Sequence, residues 1–360
     1  MAQAPANEDQ NEQFSGTMPV AKRQQFDIGV LREYLADKLP DTKGELSVEQ
    51  FKGGQSNPTF KLKWGEREYV MRSKPGPAAK LLPSAHAVDR EFRVINALAN
   101  TDVPVPAAYC LCEDEDVIGR AFYVMDFVKG RVLWEQSLPG LANEERAAIY
   151  DEMNRVISSL HKIDYKAIGL EDFGRPGNYF TRQITRWTKQ YKASQTETIE
   201  AMDRLMEWLP ENIPDGDETS IVHGDFRLDN LIFSATEPKA LAVLDWELST
   251  IGHPLADFSY HCMGYHIAPG QFRGIGGLDH ASLGIPTEQA YIKRYCDRTN
   301  REGIDHWNFY LAYNMFRLAG ILQGIMKRVV DGTASNERAR EAGARARPLA
   351  EMGWAIVKDN

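Results

Sequence analysis

The sequence predicts an α+β chain in two parts, an antiparallel sheet of five strands with one main helix followed by a mostly helical region. Short stretches in which β-forming residues alternate with polar ones crowd residues 46–128. From Asn143 onward, apolar residues recur at helical spacing. The length of 360 residues also exceeds the usual size of one compact core, which favours two lobes.

The N-terminal stretch MAQAPANEDQNEQFSGT is polar and has no apolar run of the kind a signal peptide carries, so residues 1–20 are expected to be a disordered tail. FDIGVLREYLADKLP predicts a short amphipathic helix. LSVEQF, TFKLKW and EYVMR predict three strands, with Trp64-Gly65-Glu66-Arg67 as a hairpin turn. A loop rich in Pro, Gly and Ala runs from Ser73 to Ala85. HAVDREFRVINALAN sets Val88, Phe92, Ile95 and Leu98 at helical spacing. AAYCLC and RAFYVMDFV supply two more strands across the acidic turn EDEDVIG. The first lobe is therefore residues 21–128, with a boundary at Lys129-Gly130, and residues 129–360 form the second.

In that second lobe, NEERAAIYDEMNRVISSLHKI opens with Asn143 as the expected helix cap and acidic residues in the first turn. NYFTRQITRWTKQYKAS, TIEAMDRLMEWL, EQAYIKRYCDRT and HWNFYLAYNMFRLAGILQGIMKRVV predict further helices. NERAREAGARARPLAEMGWAIV predicts one interrupted by Pro348. One β patch breaks the helical run: NLIF, the turn SATEPKA, then LAVLDWE.

Hydrophobic content of 43% and charged content of 26% describe a soluble globular protein. The formal charge of −9 argues against non-specific nucleic-acid binding, which depends on phosphate neutralisation, but leaves room for a local basic site. No apolar run approaches the length of a membrane span, so the expected location is the cytoplasm, with no membrane partner. Cys110, Cys112, Cys262 and Cys296 form no CxxC pair and lack a matching Cys or His pair, so they are expected as reduced core thiols, not zinc ligands.

The chemistry concentrates in IVHGDFRLDNLIF, from Ile221 to Phe233. Both ends are apolar, yet His223, Asp225, Arg227, Asp229 and Asn230 lie between them, and buried groups of this kind need partners. The segment is either an exposed turn or a seat for a ligand and its metal ions. Asp245 follows Asn230 by fifteen residues, at the end of the second strand of the β patch. A carboxylate on a strand end, with an Asn and an Asp on the preceding loop, suits Mg²⁺, which takes few protein oxygens and fills its shell with water and phosphate. Asp225 is then placed to accept a proton from an attacking hydroxyl.

The D-x-x-x-x-N spacing followed by a second Asp resembles the kinase template, with HGDFRLDN as catalytic loop and DWE as second metal motif. H-G-D in place of H-R-D is similar to the aminoglycoside phosphotransferase (choline kinase-like) family. Within it, YVMRSKPGPAAKLLPSAHAVDREFRVI and VLDWELSTIGHPLADFSYH resemble kinase-like domains found alone or fused to acyl-CoA dehydrogenases. The resemblance covers nearly the whole chain after the tail. A lone HGD carries little weight; its combination with the spaced Asn, the DWE and the strand order is specific.

This resemblance implies a bilobal, protein-kinase-like fold with the active site between the lobes. It also implies ATP and Mg²⁺ as cofactors and transfer of the γ-phosphoryl group to a hydroxyl of a small molecule. Asp225 would be the base, Asn230 and Asp245 the metal ligands, and Arg227 the cation that stabilises charge on the γ-phosphate, unless it merely pairs with Asp229. His223 would hold the loop and Asp257 buttress it. FKGGQSNPTF stands where the template covers phosphate, with Gly53 and Gly54 allowing a tight turn and Ser56 and Asn57 as donors. It departs from G-x-G-x-x-G, and a plain hairpin turn is the alternative. Arg72 replaces the template lysine, with Lys74 as rival, and Glu91 would pair with it. Met125, Phe127 and Val128 would line the adenine hinge.

The family name suggests an aminoglycoside or amino-alcohol acceptor, but the segment from Met263 to Pro286 offers a single Asp, a poor trap for a polycation. The acyl-CoA dehydrogenase connection suggests a hydroxyacyl-CoA or hydroxy acid. A catalytically idle nucleotide-binding module is the rival class. A protein kinase is disfavoured by DWE in place of D-F-G and by the lack of a recognisable A-P-E motif.

Overall fold

The computed structural model describes residues 16–52, 57–76, 87–272, 274–333 and 338–359. In chain order the elements begin with β1 (Thr17–Met18), α1 (Ile28–Leu35), β2 (Leu46–Phe51), β3 (Thr59–Trp64), β4 (Arg67–Ser73) and α2 (Val88–Leu98). There follow β5 (Ala108–Cys112), the short α3 (Glu115–Ile118), β6 (Phe122–Asp126), β7 (Arg131–Val132), α4 (Asn143–Lys162), α5 (Tyr179–Ser194) and α6 (Glu200–Glu211). Next come β8 (Ser220–Val222), β9 (Leu231–Phe233), β10 (Ala240–Val243), β11 (Thr250–Gly252) and α7 (Pro254–Cys262). The last helices are α8 (Glu288–Thr299), α9 (Trp307–Val330), α10 (Arg338–Ala344) and α11 (Ala346–Val357).

Two compact units pack separately. One comprises Met1–Trp134 with Asp229–Ser249, the other Glu135–Leu228 with Thr250–Asn360. This division differs from the sequence boundary after Val128, which grouped residues 229–249 with the helical part. The reason is local. β9 is hydrogen-bonded on one side to β10 and on the other to β7, and the Val243 N–H donates to the Pro104 carbonyl at 2.8 Å. Gly130 permits the approach, because a Cβ there would lie 2.3 Å from the Phe233 carbonyl oxygen.

In the first unit, six strands pair in the order β1-β2-β3-β4-β6-β5, each pair antiparallel. The five expected strands are all there. The sixth, β1, lies inside the stretch expected as tail: Thr17 pairs with Phe51, and its hydroxyl donates to Glu49 at 2.6 Å. Along β3 the alternation is plain. Phe60, Leu62 and Trp64 are buried and pack with Leu31, Leu35, Tyr69, Met71 and Phe122, while Lys63 is exposed. Each such side chain contributes about 1.5–3 kcal/mol when fully buried. Asp27 caps α1 by accepting from Gly29 N at 2.7 Å and Val30 N at 3.2 Å. The acidic turn between β5 and β6 holds α3, capped by Asp114 and ended by Gly119 at φ +78°.

In the second unit, α9 is the central helix, packed against α11, α5, α7 and α6, while α4 packs on α8. Its buried run from Phe309 to Phe316 explains the long apolar pattern. Asn143 does not cap α4. The cap position is Ala142, and the Asn143 amide donates to the Ser282 carbonyl at 2.9 Å. The C-terminal helix breaks at Arg345, three residues before Pro348, which sits in the first turn of α11, where a missing N–H costs nothing. All four cysteines are buried and free.

Candidate active site

In the first unit, β4 and α2 build a buried ion pair. Arg72 Nε lies 3.1 Å from Glu91 Oε2, and Arg72 Nη2 reaches Asp245 Oδ1 at 3.2 Å and Glu247 Oε2 at 3.9 Å. Glu91, 1% exposed, also accepts from Asn57 Nδ2 at 2.7 Å and from the Tyr123 hydroxyl at 3.1 Å. Burial alone would lower the Arg72 pKa, but the Glu91, Asp245 and Glu247 carboxylates outweigh it and hold the guanidinium more firmly charged than usual. Burial pushes Glu91 up against the pull of Arg72. Lys74, the rival cation, lies past the end of β4, and Arg72 is the one that Glu91 holds.

Asp245 follows β10 at φ +65° and ψ +58°, a left-handed backbone that Asp tolerates better than most residues. The turn is pinned from both sides: Leu244 N donates to the Asn230 carbonyl at 2.8 Å, and the buried Trp246 indole donates to the Val243 carbonyl at 3.0 Å. The Asn230 and Asp245 segments are therefore joined through the backbone. Their side chains are hard oxygen donors. Among the described residues no group of three or more His, Cys, Asp or Glu could cage a metal. One carboxylate and one amide fit Mg²⁺ taken up with phosphate and water.

The remaining first-unit candidates divide. Asn57 was expected to donate to phosphate. Its amide donates to Glu91, a buried carboxylate that must be met by donors. Gly53, Gly54 and Ser56 lie outside the described residues. Met125 is buried in β6 between β4 and β5. Phe127 stacks on Phe51 with ring centres 6.3 Å apart, its N–H donates to the Glu68 carbonyl at 3.4 Å, and Val128 lies beyond the strand.

In the second unit, the loop after β8 carries Asp225. Asp257, buried in the first turn of α7, accepts from His223 N at 2.7 Å and Gly224 N at 2.8 Å, and lies 3.2 Å from His161 Nε2. Burial would raise the Asp257 pKa, but the His161 bond and the backbone donor hold it below the usual carboxylate value. Gly224 takes φ +82°, and its carbonyl accepts from Arg317 Nη2 at 3.0 Å. His223 is fully buried and accepts from Asp225 N through Nδ1 at 3.2 Å, a loop-holding role as expected. The Asp225 carboxylate accepts from the Tyr260 hydroxyl at 2.5 Å and lies 3.2 Å from Arg227 Nε. Arg227 therefore pairs with Asp225 itself.

Tyr260 and Arg317 escaped the sequence reading. Tyr260 stands three residues after Asp257, one helical turn along the same face, so it could have been found with the buttress. Arg317 is the single charged residue in the stretch NFYLAYNMFRLAGILQGIM, and that isolation was its signal.

Residues 47–291 match the family model described as the phosphotransferase enzyme family. The chain belongs to this family. It is 46% identical over 342 residues to mouse acyl-CoA dehydrogenase family member 10, covering 94% of this chain and 32% of that protein. It is 42% identical over 355 residues to mouse acyl-CoA dehydrogenase family member 11, covering 96% and 45%. The chain thus spans 32% and 45% of the length of these two curated relatives. A crystal structure from Ralstonia eutropha, of a protein provisionally named an aminoglycoside phosphotransferase, is 65% identical with a TM-score of 0.87, covering 93% of this chain and 99% of that one. Choline kinase from Cryptosporidium parvum shares the fold at 14% identity and a TM-score of 0.60, covering 92% of this chain and 97% of that one. The kinase-like fold and the phosphotransferase class expected from HGD-x-x-x-x-N and DWE are therefore both borne out.

Proposed function

We propose that the chain transfers the γ-phosphoryl group of ATP to a hydroxyl of a small anionic molecule, a hydroxy acid or hydroxyacyl-CoA, in a Mg²⁺-dependent reaction. The observation that carries this reading is the contact of Arg72 with Asp245, 173 residues apart, backed by Glu91. A guanidinium held by a buried carboxylate beside a hard-oxygen metal ligand is suited to grip a metal–polyphosphate. Asp225 accepts the acceptor's proton, and Arg227 is the cation for charge on the transferred group. Asn230 and Asp245 would hold Mg²⁺, which would neutralise phosphate charge as transfer proceeds. Phe127 and Val128 would meet the adenine. The solved fold relatives include an aminoglycoside phosphotransferase in complex with ADP and hygromycin B, and this favours nucleotide use here.

A polycationic acceptor suits this chain less well. Asp279, the one acid between Met263 and Pro286, accepts from Ser282 N in its own turn. Nearby Glu288 is engaged by His266 at 2.8 Å and the Trp307 indole at 3.0 Å. The fused relatives point to the acyl side of metabolism.

Two variants test the phosphate end. Asp245→Ala is expected to abolish the gain in ATP affinity that Mg²⁺ confers, read by calorimetry with and without the metal; a persisting gain would move the metal elsewhere. Arg72→Lys restores the template residue but loses the planar fork, so it is expected to weaken ATP binding. Arg72→Ala is expected to weaken it further, by roughly ten- to a hundredfold, the range of hydrogen bonds to charged groups. AMP affinity should hold in both, and unchanged ATP affinity in Arg72→Ala would remove Arg72 from the site.

A further inference from the structure

The second unit carries a cluster of cations that the reaction chemistry above does not use. Arg317 on α9 lies with its guanidinium centre 5.3 Å from the Tyr260 ring and 5.9 Å from the Trp187 ring. Arg186 on α5 lies 5.5 Å from the same Trp187 ring. Several other arginines of this unit find carboxylates: Arg155 pairs with Glu152, Arg294 and Arg298 with Asp151, Arg301 with Glu218, and Arg347 with Glu197, while Arg146 and Arg182 donate to backbone carbonyls. Acids outnumber bases in the chain, 51 to 42, so carboxylates are not scarce. Among the described residues, neither Arg186 nor Arg317 has a carboxylate ion-pair partner. The Trp187 indole N–H is buried and meets no acceptor there either.

The two guanidinium groups near one indole repel each other; the Asp225 carboxylate helps hold the charge of Arg317, and an aromatic face compensates Arg186 only in part. An anion would relieve that repulsion and satisfy the indole donor together. The cluster adjoins the base. Arg317 holds the carbonyl of Gly224, the residue before Asp225, and Tyr260 touches both Arg317 and the Asp225 carboxylate.

We propose that Arg186, Trp187 and Arg317 form a receptor for the anionic group of the acceptor, a carboxylate or a phosphate, lying a few bonds from the hydroxyl that is phosphorylated. This rests on the phosphotransferase reading, but the site is a binding site in its own right and can be tested without turnover.

The test is calorimetry on the full chain with three probes: 3-hydroxybutyrate for a carboxylate, coenzyme A for phosphate, and butane-1,3-diol as the neutral control. Arg186→Gln at an exposed position and Trp187→Phe, which keeps a ring but loses the donor, avoid a folding defect. Each is expected to weaken 3-hydroxybutyrate or coenzyme A binding by about tenfold, leaving ATP affinity and the weak diol binding as they were, and added salt should weaken the anion further. The anion that loses affinity names the source. Unchanged anion affinity in both variants, or an equal loss for the diol, would overturn the receptor. Anion binding that behaves as stated without any phosphorylated product would leave the receptor standing and sink the phosphotransferase reading. Product formation with anion affinity indifferent to both variants would do the reverse.

Discussion

Asp225→Asn is expected to lower turnover by about two to four orders of magnitude, the range for a general base. The substitution keeps an oxygen for the Tyr260 hydroxyl, which lies 2.5 Å from Oδ1, so the loop need not rearrange. It removes the proton-accepting charge and the partner of Arg227 Nε. Nucleotide affinity should be nearly unchanged, because Arg72, Glu91 and Asp245 belong to the other packed unit. Initial rates at saturating acceptor, beside nucleotide titrations, separate the two effects. Near wild-type turnover would take the base role away from Asp225.

Asp257→Ala is expected to cost about 3–5 kcal/mol of stability, because each buried donor left without its acceptor costs about 1–3 kcal/mol. Two buried backbone N–H groups, of His223 and Gly224, would lose their acceptor, and His161 would lose its carboxylate. Thermal and denaturant unfolding beside wild type measure it. Acid should show the same group. The folded pKa of Asp257 is depressed, so its contribution is present above the unfolded value of 3.8 and is lost as pH falls through the lower folded value. His253 and His261, pulled down to about 4 by burial, fold as neutral rings. Their contribution is present above 6.5 and is lost as pH falls toward 4. Wild type should therefore weaken across both ranges, and Asp257→Ala should lose sensitivity only in the lower one. An unaltered acid profile in the variant would mean that Asp257 is not the buttress.

Much of this was legible in the chain because the chemistry is local. Asp225, Asn230 and Asp245 sit on one loop and one hairpin, close enough in sequence for spacing to single them out, and Leu244 N donates to the Asn230 carbonyl. Strand and helix patterns located β4 and α2, the kinase resemblance picked out Arg72 and Glu91 on them, and the two side chains lie 3.1 Å apart. What was not legible depended on long-range packing. Nothing in NLIF announces that β9 joins β7, so the boundary after Val128 gives no hint that residues 229–249 pack with the first unit. Thr17-Met18 reads as tail because two residues show no period, yet they add a strand. The bond of the Asn57 amide to buried Glu91 joins residues 34 apart and has no signal in the sequence. Asn143 has the composition of a cap, but helix α4 starts one residue earlier.

Phosphoryl transfer itself is the direct test of the central claim. ATP labelled in its γ-phosphoryl group is offered to wild type and to Asp225→Asn with hydroxy acids, hydroxyacyl-CoAs, amino alcohols and aminoglycosides. ADP and labelled acceptor are then quantified together. The account predicts labelled product in equal amount to ADP, from an anionic hydroxyl acceptor, in wild type and almost none in the variant. ATP that binds but is not consumed in the presence of any acceptor of the panel would make the chain an idle nucleotide-binding module and contradict the account.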